Sequence, residues 1–133
     1  MKNLTPNLMV EDVNATVTFY QRVFGFQVIE SVLAANRPST GQWQFAIINL
    51  EGVTIMLQDP RTLVEDVPEF AGRQIGGTMT LYINVEDVRG LFEKVKSEIH
   101  FIKDGLYETF YGTTEFTMRD PNGYFITFAQ GNA

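Results

Sequence analysis

The tetrapeptide Val-Glu-Asp-Val occurs twice, at Val10–Val13 and at Val85–Val88, 75 positions apart, and this restricts the chain to folds made of two like halves. Each copy follows an alternating, strand-like run and precedes an amphipathic helical one. After the first, Val13, Val17, Tyr20 and Phe24 share one helix face, with Asp12 as N-cap and Gly25 as stop. After the second, Val88, Leu91, Phe92 and Val95 do the same behind Asp87. Both halves also close alike. Glu51-Gly52-Val53-Thr54-Ile55-Met56-Leu57 and Asn122-Gly123-Tyr124-Phe125-Ile126-Thr127-Phe128 each set a Gly turn before a strand, 71 positions apart. The β-forming runs Trp43–Leu50 and Thr113–Met118 precede these turns, so each half ends in a hairpin. The repeat unit is βαβββ. It predicts one module over 1–58 and a second over 78–131, with 59–77, which carries Pro60, Pro68, Gly72, Gly76 and Gly77, as a surface linker.

At 133 residues the chain has room for one domain of ordinary size. Its 44% hydrophobic and 20% charged residues are those of a globular protein, and no window offers the roughly 18 uncharged apolar residues of a membrane span. Met1–Asn7 shows no signal-peptide pattern, so a cytoplasmic location and no membrane partner are expected. With no Cys, disulfides, thiolate zinc sites, iron-sulfur ligation and cysteine nucleophiles are excluded; one His excludes any site needing two imidazoles from this chain. A net charge of -6 disfavours nucleic acid and anionic membranes and mildly favours cationic ligands, although most of it serves solubility.

Strand alternation separates a buried face from an open one. Leu8, Val10, Ala46, Ile48, Leu50, Ile55, Leu57, Leu81, Ile83, Val85, Phe116, Met118, Ile126 and Phe128 form the set expected under the helices. The opposite parity collects Thr5, Asn7 and Met9; Trp43, Phe45, Ile47 and Asn49; Thr54, Met56 and Gln58; Thr80, Tyr82 and Asn84; Thr113, Glu115 and Thr117; Thr127 and Ala129. Polar groups and large apolar ones mix there. Two curved sheets side by side would make that face a cleft for a small molecule.

On these residues the chain resembles the vicinal oxygen chelate superfamily, which includes glyoxalase I, extradiol dioxygenases, and fosfomycin and bleomycin resistance proteins. The carriers are Asn7-Leu8-Met9-Val10-Glu11-Asp12-Val13, Phe19-Tyr20 with Phe24-Gly25-Phe26, Thr54-Ile55-Met56-Leu57-Gln58, and Phe116-Thr117-Met118-Arg119-Asp120-Pro121-Asn122-Gly123-Tyr124. The resemblance implies an α+β fold of paired βαβββ modules around a U-shaped cleft, usually in a homodimer. Metalloenzymes of this superfamily take His and Glu or Gln ligands from four strands, and the matching positions here are Thr5, Met56, Thr80 and Thr127. Hydroxyls are poor ligands and a thioether suits only soft metals. The resemblance thus points to the non-metal, bleomycin-resistance-like branch, with no metal and no cofactor.

Among individual residues, His100 opens a short strand in the second module and reads as a surface residue. Glu115 is the carboxylate most clearly on the cleft-facing parity: an acid, a base or a counter-charge for a cationic ligand, or else an exposed carboxylate among threonines. No second carboxylate pairs with it, so a glycosidase-like pair has no support. Trp43, Phe45 and Tyr82 read as an aromatic wall for a flat or cationic ligand, or as packing at a dimer interface. Phe110 and Tyr111, before Gly112, read as a loop over the cleft, and Arg37 lies in a turn-rich loop. No phosphate loop, nucleophile elbow or basic patch is present.

The expected ligand site comprises Asn7, Trp43, Phe45, Met56, Thr80, Tyr82, Phe110, Tyr111, Glu115 and Thr127. The function expected is sequestration of a small organic, cationic aromatic ligand by a homodimer. One alternative is a metal-dependent lyase, isomerase or dioxygenase with displaced ligands such as Glu115 and Gln58. Another is a ligand-responsive or protein-binding module.

Overall fold

The structure, a computed structural model, describes residues 1–132. It is α+β and divides into two compact units, residues 1–75 and Gly76 onward, each with its own sheet. The first runs β1 (Asn7–Met9), α1 (Val13–Phe24), β2 (Gln27–Leu33), β3 (Trp43–Leu50) and β4 (Val53–Gln58). Its strand order is β1-β4-β3-β2, with β1 parallel to β4 and the other pairs antiparallel. Asp12 caps α1 by accepting a hydrogen bond from the Ala15 amide, and Gly25 ends it in the left-handed region at φ 88. The stripe Val13, Val17, Tyr20 and Phe24 is buried against β3 and β4, where Ala46, Ile48, Ile55 and Leu57 are buried in turn. Both hairpin-turn residues, Glu51 (φ 50) and Gly52 (φ 87), are left-handed, as the tight two-residue turn between twisted strands requires.

The edge strand β2 carries two irregularities. Val28 faces Ile48 and Glu30 faces Ile47, leaving Ile29 as an extra, exposed residue; a second shift falls between Val32 and Leu33. It leaves Gln44 unpaired on β3, and its side-chain oxygen accepts from the Ala35 amide and the Arg61 guanidinium.

The stretch 59–77 is more ordered than the linker expected from its prolines and glycines. It holds α2 (Pro60–Asp66) and a 3₁₀ turn (Pro68–Phe70). Pro60 stands at the first helical position, where its missing N–H costs nothing, Asp59 accepts from the Thr62 amide, and Leu63 is buried.

The second unit runs β5 (Thr80–Asn84), α3 (Val88–Val95), β6 (His100–Phe101), β7 (Tyr107–Glu108), β8 (Thr113–Arg119) and β9 (Phe125–Gly131). Its order is β5-β9-β8-β6, with β7 also pairing β8, so the edge strand of the repeat is split into two short pieces. Asp87 caps α3 as expected, and Phe92 packs on Phe116, which stacks on Phe128. Gly105 (φ 92), between β6 and β7, lies so close to Phe92 that an added Cβ would stand 2.5 Å from its ring. The β8–β9 turn is held by Asp120, whose side chain accepts from the Asn122 and Tyr124 amides.

Strand register repeats with the sequence. Asn7 faces Met56 as Tyr82 faces Thr127, and Phe45 faces Gln58 as Glu115 faces Ala129. Most of the set expected under the helices is buried; Leu50, Leu81, Ile83 and Val85 are half-buried. Thr5 lies ahead of β1 rather than in it, and His100 is exposed. Among the described residues no helix is long and apolar enough to cross a membrane.

Candidate functional site

On β8, Phe116 and Met118 face the helix side and are fully buried, so Glu115, one residue before Phe116, faces the other way. It is only 2% exposed, which overturns the exposed-carboxylate reading. Four hydroxyls donate to it. Tyr82 Oη on β5 lies 2.5 Å from Oε2, and Thr113 Oγ1 on β8 lies 2.8 Å from the same oxygen. Tyr107 Oη on β7 is 3.3 Å from Oε1, and Tyr111 Oη is 3.1 Å from Oε1 and 3.0 Å from Oε2. The Glu115 partners among the described residues are hydroxyls, with no cation.

The electrostatics follow from that arrangement. Burial acts to raise the Glu115 carboxyl, but the hydroxyls of Tyr82, Thr113, Tyr111 and Tyr107 outweigh it and hold it below its ordinary value. The group is therefore a carboxylate at neutral pH. Reciprocally, the Tyr82 phenol is raised, first by its bond to Glu115; Tyr107 and Tyr111 are raised by burial and then by the same carboxylate.

Aromatic surface surrounds this charge. Tyr82 is 49% exposed, Tyr111 56% and Phe110 100%, and the Phe110 and Tyr111 rings meet edge to face at 5.1 Å. Phe110 and Tyr111 sit in the turn between β7 and β8, closed by the Thr109 amide on the Thr113 carbonyl, with Gly112 at φ 87. Lys103 lies 4.2 Å above the Tyr107 ring. A pocket of about 190 Å³ is lined by Arg89, Leu106, Tyr107, Glu108 and Thr114. It is smaller than the roughly 300–1,000 Å³ of ordinary small-molecule sites.

Of the ten residues expected in the site, the structure brings Tyr82, Tyr111 and Glu115 into direct contact, with Phe110 against Tyr111. Thr127 is buried and shares a hydrogen bond with Thr117 at 2.7 Å, while Thr80 is exposed. Asn7, Trp43, Phe45 and Met56 belong to the first unit. There Asn7 donates to Gln58, Trp43 and Phe45 are half-buried on β3, and Met56 is half-buried on β4. Tyr107 and Thr113 were not among the expected site residues. Thr113 was legible on the same parity as Glu115; Tyr107 has no comparable signal, because its strand is two residues long.

The four positions matching the superfamily's metal ligands do not make a divalent donor set: three are hydroxyls and one a thioether. The displaced candidates are already engaged. Gln58 accepts from Asn7 and donates to Thr62 and Asp66, and Glu115 takes its four hydroxyls. Among the described residues no group of three or more His, Cys, Asp or Glu is placed to hold a metal ion.

The fold and this site define a βαβββ-repeat protein of the glyoxalase type. The sequence pattern of the Glyoxalase/Bleomycin resistance protein/Dioxygenase superfamily matches residues 4–128, and the chain belongs to that superfamily. An uncharacterized protein of Mycobacterium bovis is 25% identical over 134 aligned positions, 96% of this chain and 82% of its own. A protein of unknown function from Agrobacterium tumefaciens shares the fold with a TM-score of 0.76 at 22% identity, over 98% of this chain and 94% of its own. So does the bleomycin-binding protein of bleomycin-producing Streptomyces verticillus, solved with copper(II)-bleomycin. Its TM-score is 0.64 at 21% identity, over 98% and 97% of the two chains.

Proposed function

We propose that this protein binds and sequesters a small organic molecule, cationic and aromatic, without a metal of its own and without transforming it. The observation that carries the reading is the ionised, buried Glu115 among the exposed rings of Tyr82, Phe110 and Tyr111. A carboxylate attracts a cation, and aromatic faces add cation–π attraction and stacking area. The fold shared with a bleomycin-binding protein supports a drug-sequestering, resistance-type role. The expected homodimer belongs to the same reading, and sedimentation of the purified protein tests it.

The function is tested by the thermal midpoint of chelator-treated protein, alone, with divalent metals, and with metal-free bleomycin. Ligand at about a hundred times its dissociation constant adds roughly 2.7 kcal/mol, or several degrees for a chain of this size. A rise with bleomycin and none with metals supports sequestration. A rise with one metal alone overturns it in favour of a metal-dependent lyase, isomerase or dioxygenase.

A further inference from the structure

An ionised carboxylate offers about four acceptor positions, and Glu115 meets four donors, so its hydrogen-bonding capacity is filled by the protein itself. Its charge is nevertheless unmatched by any cationic partner among the described residues. A ligand that approaches this carboxylate must therefore bring N–H donors and displace one hydroxyl. The four are not equally held.

Thr113 is on the same strand as Glu115, and Tyr82 stands on β5 with the shortest contact. Tyr107 is half-buried on β7 beneath Lys103. Tyr111 lies outside any strand, is more than half exposed, and sits beside the left-handed Gly112. Its single proton is shared between two oxygens at nearly equal distance, so it concentrates on neither.

Building on the cation-binding reading above, we propose that Glu115 anchors a protonated amine or amidine, and that the Tyr111 hydroxyl occupies the place of that ligand's N–H until the ligand displaces it. The Tyr111 ring, with Phe110 against it, stays over the bound cation, so the turn 109–113 acts as a self-filling cover. The ligand class is thereby narrowed to N–H-bearing cations on a flat body. Quaternary ammonium ions, which offer charge without a donor, have nothing with which to replace the hydroxyl.

The test is calorimetric titration of the whole protein with benzamidinium, its neutral isostere benzamide, and benzyltrimethylammonium. Benzamidinium binds; benzamide does not; the quaternary ion binds at least about tenfold more weakly, the loss of one charge-assisted hydrogen bond. In Tyr111→Phe, which keeps the ring and removes the competing donor, benzamidinium binds about fivefold more tightly. In Tyr111→Ala it binds more weakly, and in Glu115→Gln binding is lost. If Glu115→Gln does not fold, the exposed Tyr111→Phe substitution still decides. Weaker binding in Tyr111→Phe, equal binding of the quaternary ion, or no binding of benzamidinium to wild type or Tyr111→Phe overturns the proposal. Bleomycin binding that survives Glu115→Gln leaves sequestration standing and removes this site from it. Benzamidinium binding that Tyr111→Phe strengthens, with no bleomycin binding, does the reverse.

Discussion

The two units share a repeat but place the aromatic bulk of their cores differently. On β3 the ring of Phe45 stands with Ile47 on the face away from α1, and the positions beneath the helix are the aliphatic Ala46 and Ile48. On β8 the pattern is exchanged: Thr113, Glu115 and Thr117 point away from α3, and Phe116 and Met118 lie beneath it. The helices complement this. The longer α1 and the turn after it bring Tyr20, Phe24 and Phe26, whereas the eight-residue α3 brings Phe92 as its one ring. A duplicated backbone thus accommodates two distributions of bulk: the rings of the first core come mainly from its helix and the turn after it, and those of the second mainly from the strands beneath its helix.

The largest effect should come from the core of the second unit. Phe116→Ala removes a fully buried ring that touches Phe92 and Phe128 and should cost about 4 kcal/mol in chemical denaturation. A cost near that of half-buried Phe45→Ala would break the comparison. Next is Glu115→Ala, expected at about 2 kcal/mol, because four hydroxyls lose a charged acceptor.

The same carboxylate makes stability depend on pH. Its folded value lies below the ordinary 4.5, so its contribution is complete above 4.5 and is lost as pH falls through the folded value. The three phenols are raised above 10.0, so theirs is complete below 10.0 and is lost as pH rises through the folded values. Phenolate absorbance should therefore appear at higher pH in the native protein than in Glu115→Gln. Unchanged titration in that variant would mean the tyrosines do not report on Glu115. The smallest effect sharpens the likeness instead: Asp12→Ala and Asp87→Ala each remove one N-cap and should cost about 1 kcal/mol apiece.

Much of this was legible because it is local. Asp12, Gly25 and Asp87 signal helix ends through their own backbone bonding, and the spaced Val-Glu-Asp-Val copies disclosed that the strand-then-helix passage occurs twice, as β1–α1 and β5–α3. Alternation placed Glu115 and Tyr82 on the face away from the helices. Alternation has no purchase on Tyr107, whose two-residue strand follows an irregular passage, so the ring of donors was visible only in part. α2 was missed because proline reads equally as a breaker and as a first helical residue; only Asp59 capping Thr62 distinguishes the two.

The irregular β2 has a bearing on how such a chain survives at high concentration. It is a seven-residue edge with Ile29, Val32 and Leu33 exposed, the kind of strand on which further strands stack into fibrils. The extra residue at Ile29 bends it, the second shift interrupts its ladder again, and Glu30 and Ser31 are exposed between them. Deleting Ile29 would remove the first of these two interruptions and lengthen the regular part of the rim, bringing the chain a step nearer to the strand-on-strand association that both irregularities oppose.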